Sequence, residues 1–473
     1  MNICLVNPHL VSGKLYEEWD LSEVDSISPP LGLLYLAAAI RESGHNVSFI
    51  DALAYNLSVQ NAVNKILKSS PDVVGLTATT PTIPGAAEIA KVLKAQHPEI
   101  KIIIGGPHVT AIPEETFQVI PHFDIGVIGE GEATIVDLLE TLSQNKETLQ
   151  DVRGIIYREK EKVVFTQRRP LIDDLDSIPM IAWDLLPSVT NPYRMSIVGT
   201  ISDKSTALVT SRGCPAKCTF CDTKVYGMKY RWHSAENVAN MVKYLIENHG
   251  IKDFLIYDSN FVANRKRLID ICNIFIKENY NITWSCSARV NLVKPDMLKL
   301  MKKAGCWQIA YGIESGSPQI LEIMKKNITL DQIKNALKWT KEAGIMSRGN
   351  FIFGYIGETR ETLQESLDFL LDIDLDYFQQ SFLTPFPGSE VSEGILEHGE
   401  VVTMDWDKMN VMDITFIPHG LSKEEMVKFS KKAFRKFYLR PKVIWVHIKL
   451  IMKYPIIRRY SKVFLAFLKT LAR

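Results

Sequence analysis

Cysteine is scarce in this chain: there are seven in 473 residues, and four of them (Cys4, Cys272, Cys286, Cys306) are scattered. No secretory pattern opens the sequence, because Met1-Asn-Ile-Cys-Leu-Val-Asn-Pro8 reads as a short strand ending in a turn. A disulfide framework is therefore excluded, and a reducing, cytoplasmic setting is expected. No second C-x2-C or Cys/His pair is present, so a structural zinc site is disfavoured. Acidic residues are missing from the C-terminus. Glu425 is the last, and 14 of the 55 Lys and Arg residues follow it, leaving 41 basic against 54 acidic residues up to and including it. A basic tail on an acidic body suits an anionic surface such as the inner face of a membrane. No apolar run approaches the ~20 residues that a membrane-spanning helix needs. Repeats and low-complexity tracts are absent, and no nucleic-acid partner is expected. Apolar content of 46% and charged content of 23% are those of an ordinary globular protein.

The remaining three cysteines fall within eight residues, Cys214-Pro-Ala-Lys-Cys218-Thr-Phe-Cys221. Three thiolates from one tight loop can hold a [4Fe–4S] cluster and leave one iron without a protein ligand. Electron-transfer clusters usually take four cysteines, so the open iron points to chemistry rather than electron relay.

The order of patterns predicts an α/β chain of four parts. In residues 1–150, short apolar runs at 3–6, 47–50, 73–77, 102–104 and 125–128 alternate with helical periodicity at 31–43, 59–69, 85–96 and 133–143. This is a Rossmann-like, doubly wound pattern, which binds ligands at the strands' C-terminal ends. Residues 151–205 read as a hairpin and a Pro/Asp-rich linker. Residues 206–390 carry six further strand–helix units, with strands at 207–211, 254–257, 283–288, 308–312, 349–353 and 377–383. They fit a partial (βα)6 barrel with its site at the C-terminal ends of the strands. Residues 391–473 are read as a helical, basic region. It contains a Ser422/Glu425 capping box and, from Ile456 onward, an apolar stripe opposite Arg and Lys.

The loop Ser211-Arg-Gly-Cys214-Pro…Cys218…Phe-Cys221 resembles that of the radical S-adenosylmethionine (radical SAM) enzymes. The resemblance implies that Cys214, Cys218 and Cys221 hold the cluster and that the open iron takes S-adenosylmethionine, with Phe220 beside its adenine. Gly312-Ile-Glu314-Ser315 resembles the family's Gly-φ-Glu-Ser element, which gives Glu314 and Ser315 to the same cofactor. Asp258 and Asn260 end the second barrel strand and Arg289 the third, where the family places groups for the cofactor's amino and carboxylate ends. Pro29-Pro-Leu-Gly32, Gly105-Gly-Pro-His-Val-Thr110 and Gly126-Val-Ile-Gly-Glu-Gly-Glu132 resemble the subgroup with a cobalamin-binding domain before the barrel. Thr77, Thr79, Thr80, Gly105, Gly106, Gly129 and Glu130 are then candidates for holding cobalamin. The mutase-type Asp-x-His-x-x-Gly is absent, so a cobalt ligand from histidine is not expected. What the resemblance implies is C-methylation of an unactivated carbon with methylcobalamin, after hydrogen abstraction by a 5′-deoxyadenosyl radical. The alternatives are an anaerobic cyclase with the same cofactors and a cobalamin-binding sensor or scaffold. The substrate is a small molecule or lipid, and an electron donor such as flavodoxin or ferredoxin is required. No individual catalytic side chain is assigned.

Overall fold

The computed structural model describes residues 1–11, 26–144, 148–160 and 162–454. Five strands, β1 (Asn2–Asn7), β2 (Asn46–Asp51), β3 (Val73–Thr77), β4 (Lys101–Gly105) and β5 (Ile125–Val127), run parallel in the order β2-β1-β3-β4-β5. β1 and β3 are apolar and buried almost throughout, as strands covered on both faces must be. The covering helices are α1 (Leu31–Glu42), α2 (Val59–Lys68), α3 (Ile83–Gln96), the short α4 (Pro107–Ala111) and α5 (Pro113–Val119), and α6 (Glu132–Ser143). α1 packs on α6, and α2 on α3. The chain leaves β1 for β2 on one side and β3 lies on the other, so the strand order reverses at β1/β3 and opens a crevice there. The expected hairpin, β6 (Ile155–Glu159) and β7 (Lys162–Phe165), does not stand apart. It adds to β5 antiparallel and extends the sheet to seven strands.

The second sheet is wholly parallel, in the order β15-β14-β13-β12-β11-β8. Its strands are β8 (Ser205–Leu208), β11 (Asp253–Ile256), β12 (Thr283–Ala288), β13 (Cys306–Glu314), β14 (Met346–Phe353) and β15 (Tyr377–Phe382). Between β8 and β11 lie the two-residue strands β9 (Ser211–Arg212) and β10 (Arg231–Trp232). α7 (Ala235–His249), α8 (Arg265–Lys277), α9 (Pro295–Lys303), α10 (Pro318–Ile323), α11 (Leu330–Glu342) and α12 (Arg360–Asp372) link the six strands. The six-unit partial barrel is therefore present, and one apolar core runs from Leu31, Leu34 and Tyr35 of α1 into it.

Residues 391–420 differ from the expected helical region. Short turns there lead into an antiparallel pair, β16 (Gly399–Val401) and β17 (Phe416–Pro418). Gly399 explains the pairing, because a Cβ there would lie 2.1 Å from the Ile417 carbonyl oxygen. Helix α13 (Lys423–Tyr438) begins with the predicted capping box, in which Ser422 Oγ accepts from Glu425 N and Glu425 Oε2 accepts from Ser422 N. It covers the free edge of β15. Tyr438 Oη donates to Phe378 O at 2.7 Å and accepts from Phe378 N at 3.3 Å. α14 (Pro441–Lys453) follows. The amphipathic pattern from Ile456 lies outside the described residues.

Candidate cofactor site at the domain junction

The three-cysteine loop leaves β9 and returns at β10. Gly213 makes the exit possible: its φ is +81°, and a Cβ would lie 2.2 Å from the Lys229 carbonyl oxygen. Cys221 N donates to Cys218 O at 3.1 Å and closes the loop on itself. All three thiols are free, with Cys218 buried, Cys214 half-buried and Cys221 open at the mouth. The surrounding protein, and then the neighbouring Cys218, push the Cys221 thiol up to about 12. Such crowding disfavours bare thiolates and is relieved when metal takes them. Among the described residues, no three His, Cys, Asp or Glu side chains converge closely enough for a single metal ion.

The strand ends around this loop sort the predicted side chains into occupied and open ones. Asp258 is fully occupied by the protein: its carboxylate accepts from Thr210 N and Oγ1, both at 2.6 Å, and from Ser211 N and Oγ at 3.0 and 2.6 Å. It thus ties the start of the cysteine loop to β11. Asn260 is 1% exposed, and its Oδ1 has no partner among the described residues. It is the open acceptor of the two. Arg289 Nη1 donates to Cys218 Sγ at 3.5 Å, and Nη2 to the Lys326 carbonyl. Phe220 stands edge-on to Tyr355, with ring centroids 6.2 Å apart. Ser315 is turned into the wall, where its hydroxyl lies 3.0 Å from Ser366 Oγ and accepts from Ser317 N.

Glu314 adopts φ +67°, a backbone conformation costly for a non-glycine residue and common at ligand sites. Its Oε1 accepts from Lys326 Nζ at 2.7 Å, with both side chains buried. Lys326 Nζ also lies 5.6 Å from the Phe220 ring centroid. Gly312 leaves room for the pair: a Cβ there would fall 2.3 Å from Glu314 Oε1 and 2.7 Å from Lys326 Nζ. Sequence reasoning missed Lys326, which lies twelve residues beyond Glu314 in a segment without periodicity.

The first domain faces this loop across a cavity of about 410 Å³. Thr77, Gly105, Gly106 and Gly129 line one wall, and Cys214 and Ser259 another. A Cβ added at Gly129 would meet nothing within 4 Å. Thr79 and Thr80 are set away from it. Thr79 caps a turn with Thr82, and Thr80 Oγ1 lies 3.2 Å from His108 Nδ1. Burial holds His108 down at about 4, so it is neutral at physiological pH. Trp406 from the C-terminal segment packs edge-on to it at 4.6 Å.

Glu130 lines the cavity, but its carboxylate belongs to a buried ionic cluster. It accepts from Arg212 at 2.9 Å, from Arg231 at 2.9 and 2.7 Å and from Ile172 N at 2.8 Å. Glu132 accepts from Arg212 at 2.5 Å. Arg212 also sits 5.3 Å from the ring centroids of both Tyr35 and Tyr226. Burial pushes the Arg212 guanidinium down, but Glu132 and Glu130 outweigh it and hold it above its ordinary value. Arg212 is two residues from Cys214, so this cluster bolts the first domain to the cysteine loop.

Known proteins agree with this arrangement. Residues 208–370 match the radical SAM superfamily model, and residues 20–139 match the B12-binding domain model. An uncharacterized methyltransferase of Pyrococcus horikoshii is 38% identical over 422 residues, spanning 89% of this chain and 90% of its own. An anaerobic magnesium-protoporphyrin IX monomethyl ester cyclase of Cereibacter sphaeroides is 29% identical over 447 residues, covering 93% of this chain and 71% of its own. The structure of the cobalamin-dependent radical enzyme OxsB, with aqua-cobalamin and S-adenosylmethionine bound, superposes with a TM-score of 0.68 at 22% identity. It covers 86% of this chain, which spans 54% of that structure's length. The chain belongs to the radical SAM superfamily, in the group whose barrel follows a B12-binding domain.

Proposed function

We propose that the protein is a cobalamin-dependent radical SAM C-methyltransferase acting on an unactivated carbon. The observation that carries this is the shared cavity: small residues at the strand ends of the B12-binding domain face Cys214 and Ser259 of the barrel across one space. When bound, a [4Fe–4S] cluster with S-adenosylmethionine supplies hydrogen abstraction, and cobalamin supplies the methyl group. The protein's own part is to hold and orient. Cys214, Cys218 and Cys221 hold the cluster, and Phe220, Asn260, Arg289 and the Glu314–Lys326 pair frame S-adenosylmethionine. Gly105, Gly106 and Gly129 admit cobalamin. Flavodoxin or ferredoxin is the fitting electron donor. Anaerobic reconstitution with deuteriomethyl S-adenosylmethionine, followed by comparison of metabolites and lipids from a deletion strain, tests the reading. A product heavier by one labelled methyl supports it, whereas one that has lost hydrogen without gaining carbon supports the cyclase alternative, which the 29%-identical relative favours.

Peripheral docking on an anionic membrane is part of this reading. Among the described residues no helix is long and apolar enough to cross a membrane. α14 instead presents Ile444, Trp445, Ile448 and Met452 outward, 40–78% exposed, while Val443 and Leu450 pack inward. Lys449 lies 5.4 Å from the Trp445 ring centroid beside this stripe, and Lys453 ends the helix, the composition of an interfacial helix.

A further inference from the structure

The inner face of the barrel can be read from its register. Partners across a parallel ladder share a face, so Ser285, Gln308 and Met346 form one layer, and Ser287, Ala310, Arg348 and Tyr377 form the next. Gly312 and Asn350 form a third; the register slips beyond Gly312, and the Glu314 carboxylate folds back over Gly312, where a Cβ would lie 2.3 Å from its Oε1. The alternate residues Phe351 and Phe353 are buried on the outer side, where Phe353 meets Phe429 of α13. Arg348, Asn350, Ser287 and Tyr257 all keep some exposure although they lie mid-sheet. The lumen is therefore open toward the cofactor end. Segment 196–201 floors it, with Ser285 Oγ donating to Gly199 O at 2.6 Å and a Cβ at Gly199 lying 3.8 Å from Arg348 Nη1.

Arg348 is unusual in this setting. Among the described residues it makes no ion pair and no hydrogen bond, and its Nε is buried without a partner. The same holds for Asn350 Oδ1 and for both amide atoms of the fully buried Gln308. The groups with the largest electrostatic effect on Arg348 are Tyr257, Tyr377, Tyr438 and Cys286, none of them a carboxylate. Burial lowers its pKa, yet a guanidinium stays charged. A buried cation without a counter-charge is costly, and planar guanidinium donors match an oxyanion.

We propose that Arg348, with Gln308 and Asn350, is the receptor for an oxyanionic group of the substrate, a carboxylate or a phosphoryl group. Glu314 pairs across the ladder with Phe351, three residues beyond Arg348, and so stands ~10 Å above the Arg348 layer at ~3.3 Å per residue. The substrate is then an elongated molecule whose anionic end lies about that far below the S-adenosylmethionine site. This rests on the radical SAM reading of the barrel. The test is anaerobic titration calorimetry of the reconstituted holoenzyme with hexanoate, hexyl phosphate and hexanol. One or both anions bind and hexanol does not, and the preferred anion identifies the group. Arg348→Gln weakens that binding by roughly 10- to 100-fold, the scale of a charge-assisted bidentate contact. Asn350→Asp supplies an internal counter-ion and does the same without a change in melting, so the test survives if Arg348→Gln fails to fold. Binding of hexanol equal to the anions, no anion binding, or unchanged binding in the folded variants overturns the proposal. 5′-Deoxyadenosine formation by the unaltered enzyme tests the family reading separately, since anion binding needs no turnover.

Discussion

Replacing Glu130 by Gln is the sharpest test of how the two domains are joined. The substitution keeps the shape and removes one of two acids facing two arginines. Arg231, 1% exposed in its side chain, loses its only ion pair among the described residues, and Arg212 keeps Glu132 alone. Removing one partner of a buried pair costs about 3–5 kcal/mol, because the other charge stays dehydrated. At roughly 2–4 °C per kcal/mol for domains of 150–250 residues, the melting temperature falls by about 6–20 °C. The pair is buried, so raising salt from 0.1 to 0.5 M barely changes the difference. Differential scanning calorimetry of wild type, Glu130→Gln, Arg231→Met and the double variant measures it. The double variant loses less than the two singles together, since it leaves no orphaned charge on Arg231. A Glu130→Gln melt within about 1 °C of wild type, or strictly additive losses, would refute the claim that this cluster bolts the domains together.

Alanine at Cys214, Cys218 or Cys221 removes the cluster, so bound iron and 5′-deoxyadenosine formation both disappear; turnover surviving in the triple variant sinks the assignment. Protein made with cobalamin present carries about one per chain, and electron paramagnetic resonance of its Co(II) form shows no splitting from a histidine nitrogen, in line with the missing Asp-x-His-x-x-Gly and the enclosed His108. His108 is held neutral down to about pH 4 when folded but protonates near 6.5 when unfolded. Stability is therefore whole above pH 6.5 and falls by about 3 kcal/mol as pH drops to 4, and His108→Phe flattens that part of the profile in urea titrations. Wild-type protein floats with anionic liposomes and a Trp445→Glu/Ile448→Glu variant does not; equal flotation removes α14 as the docking face.

Much of this was legible before any coordinates, for identifiable reasons. The central strands of the first sheet, β1, β3 and β4, are short apolar runs, and buried parallel strands allow little else. The cysteine loop shows itself by its spacing, and Gly106 and Gly129 by turns whose positive φ disfavours other residues. What stayed hidden is tertiary. Nothing in Asp258-Ser-Asn260 says that the aspartate is spent on Thr210 and Ser211 while the asparagine stays open. Lys326, Arg212 and Arg231 read as ordinary basic residues until the fold buries them opposite carboxylates. The strands β16 and β17, three residues each, are too short to give a period. Arg348 lies just before the strand expected at 349–353, and only the longer observed β14 brings it onto the inner face of the barrel.

The edge-on contact of Trp406 with His108 carries a practical consequence for anyone dividing this chain. Residues 1–150 contain every strand of the parallel B12-binding fold, yet the wall beside Thr80 and His108 is finished by a tryptophan more than 250 positions later. During synthesis that wall stays open until the whole barrel, which ends at Phe382, has been made. A graft that moves the first domain onto another barrel must bring the segment around Trp406 with it or supply an indole from the host.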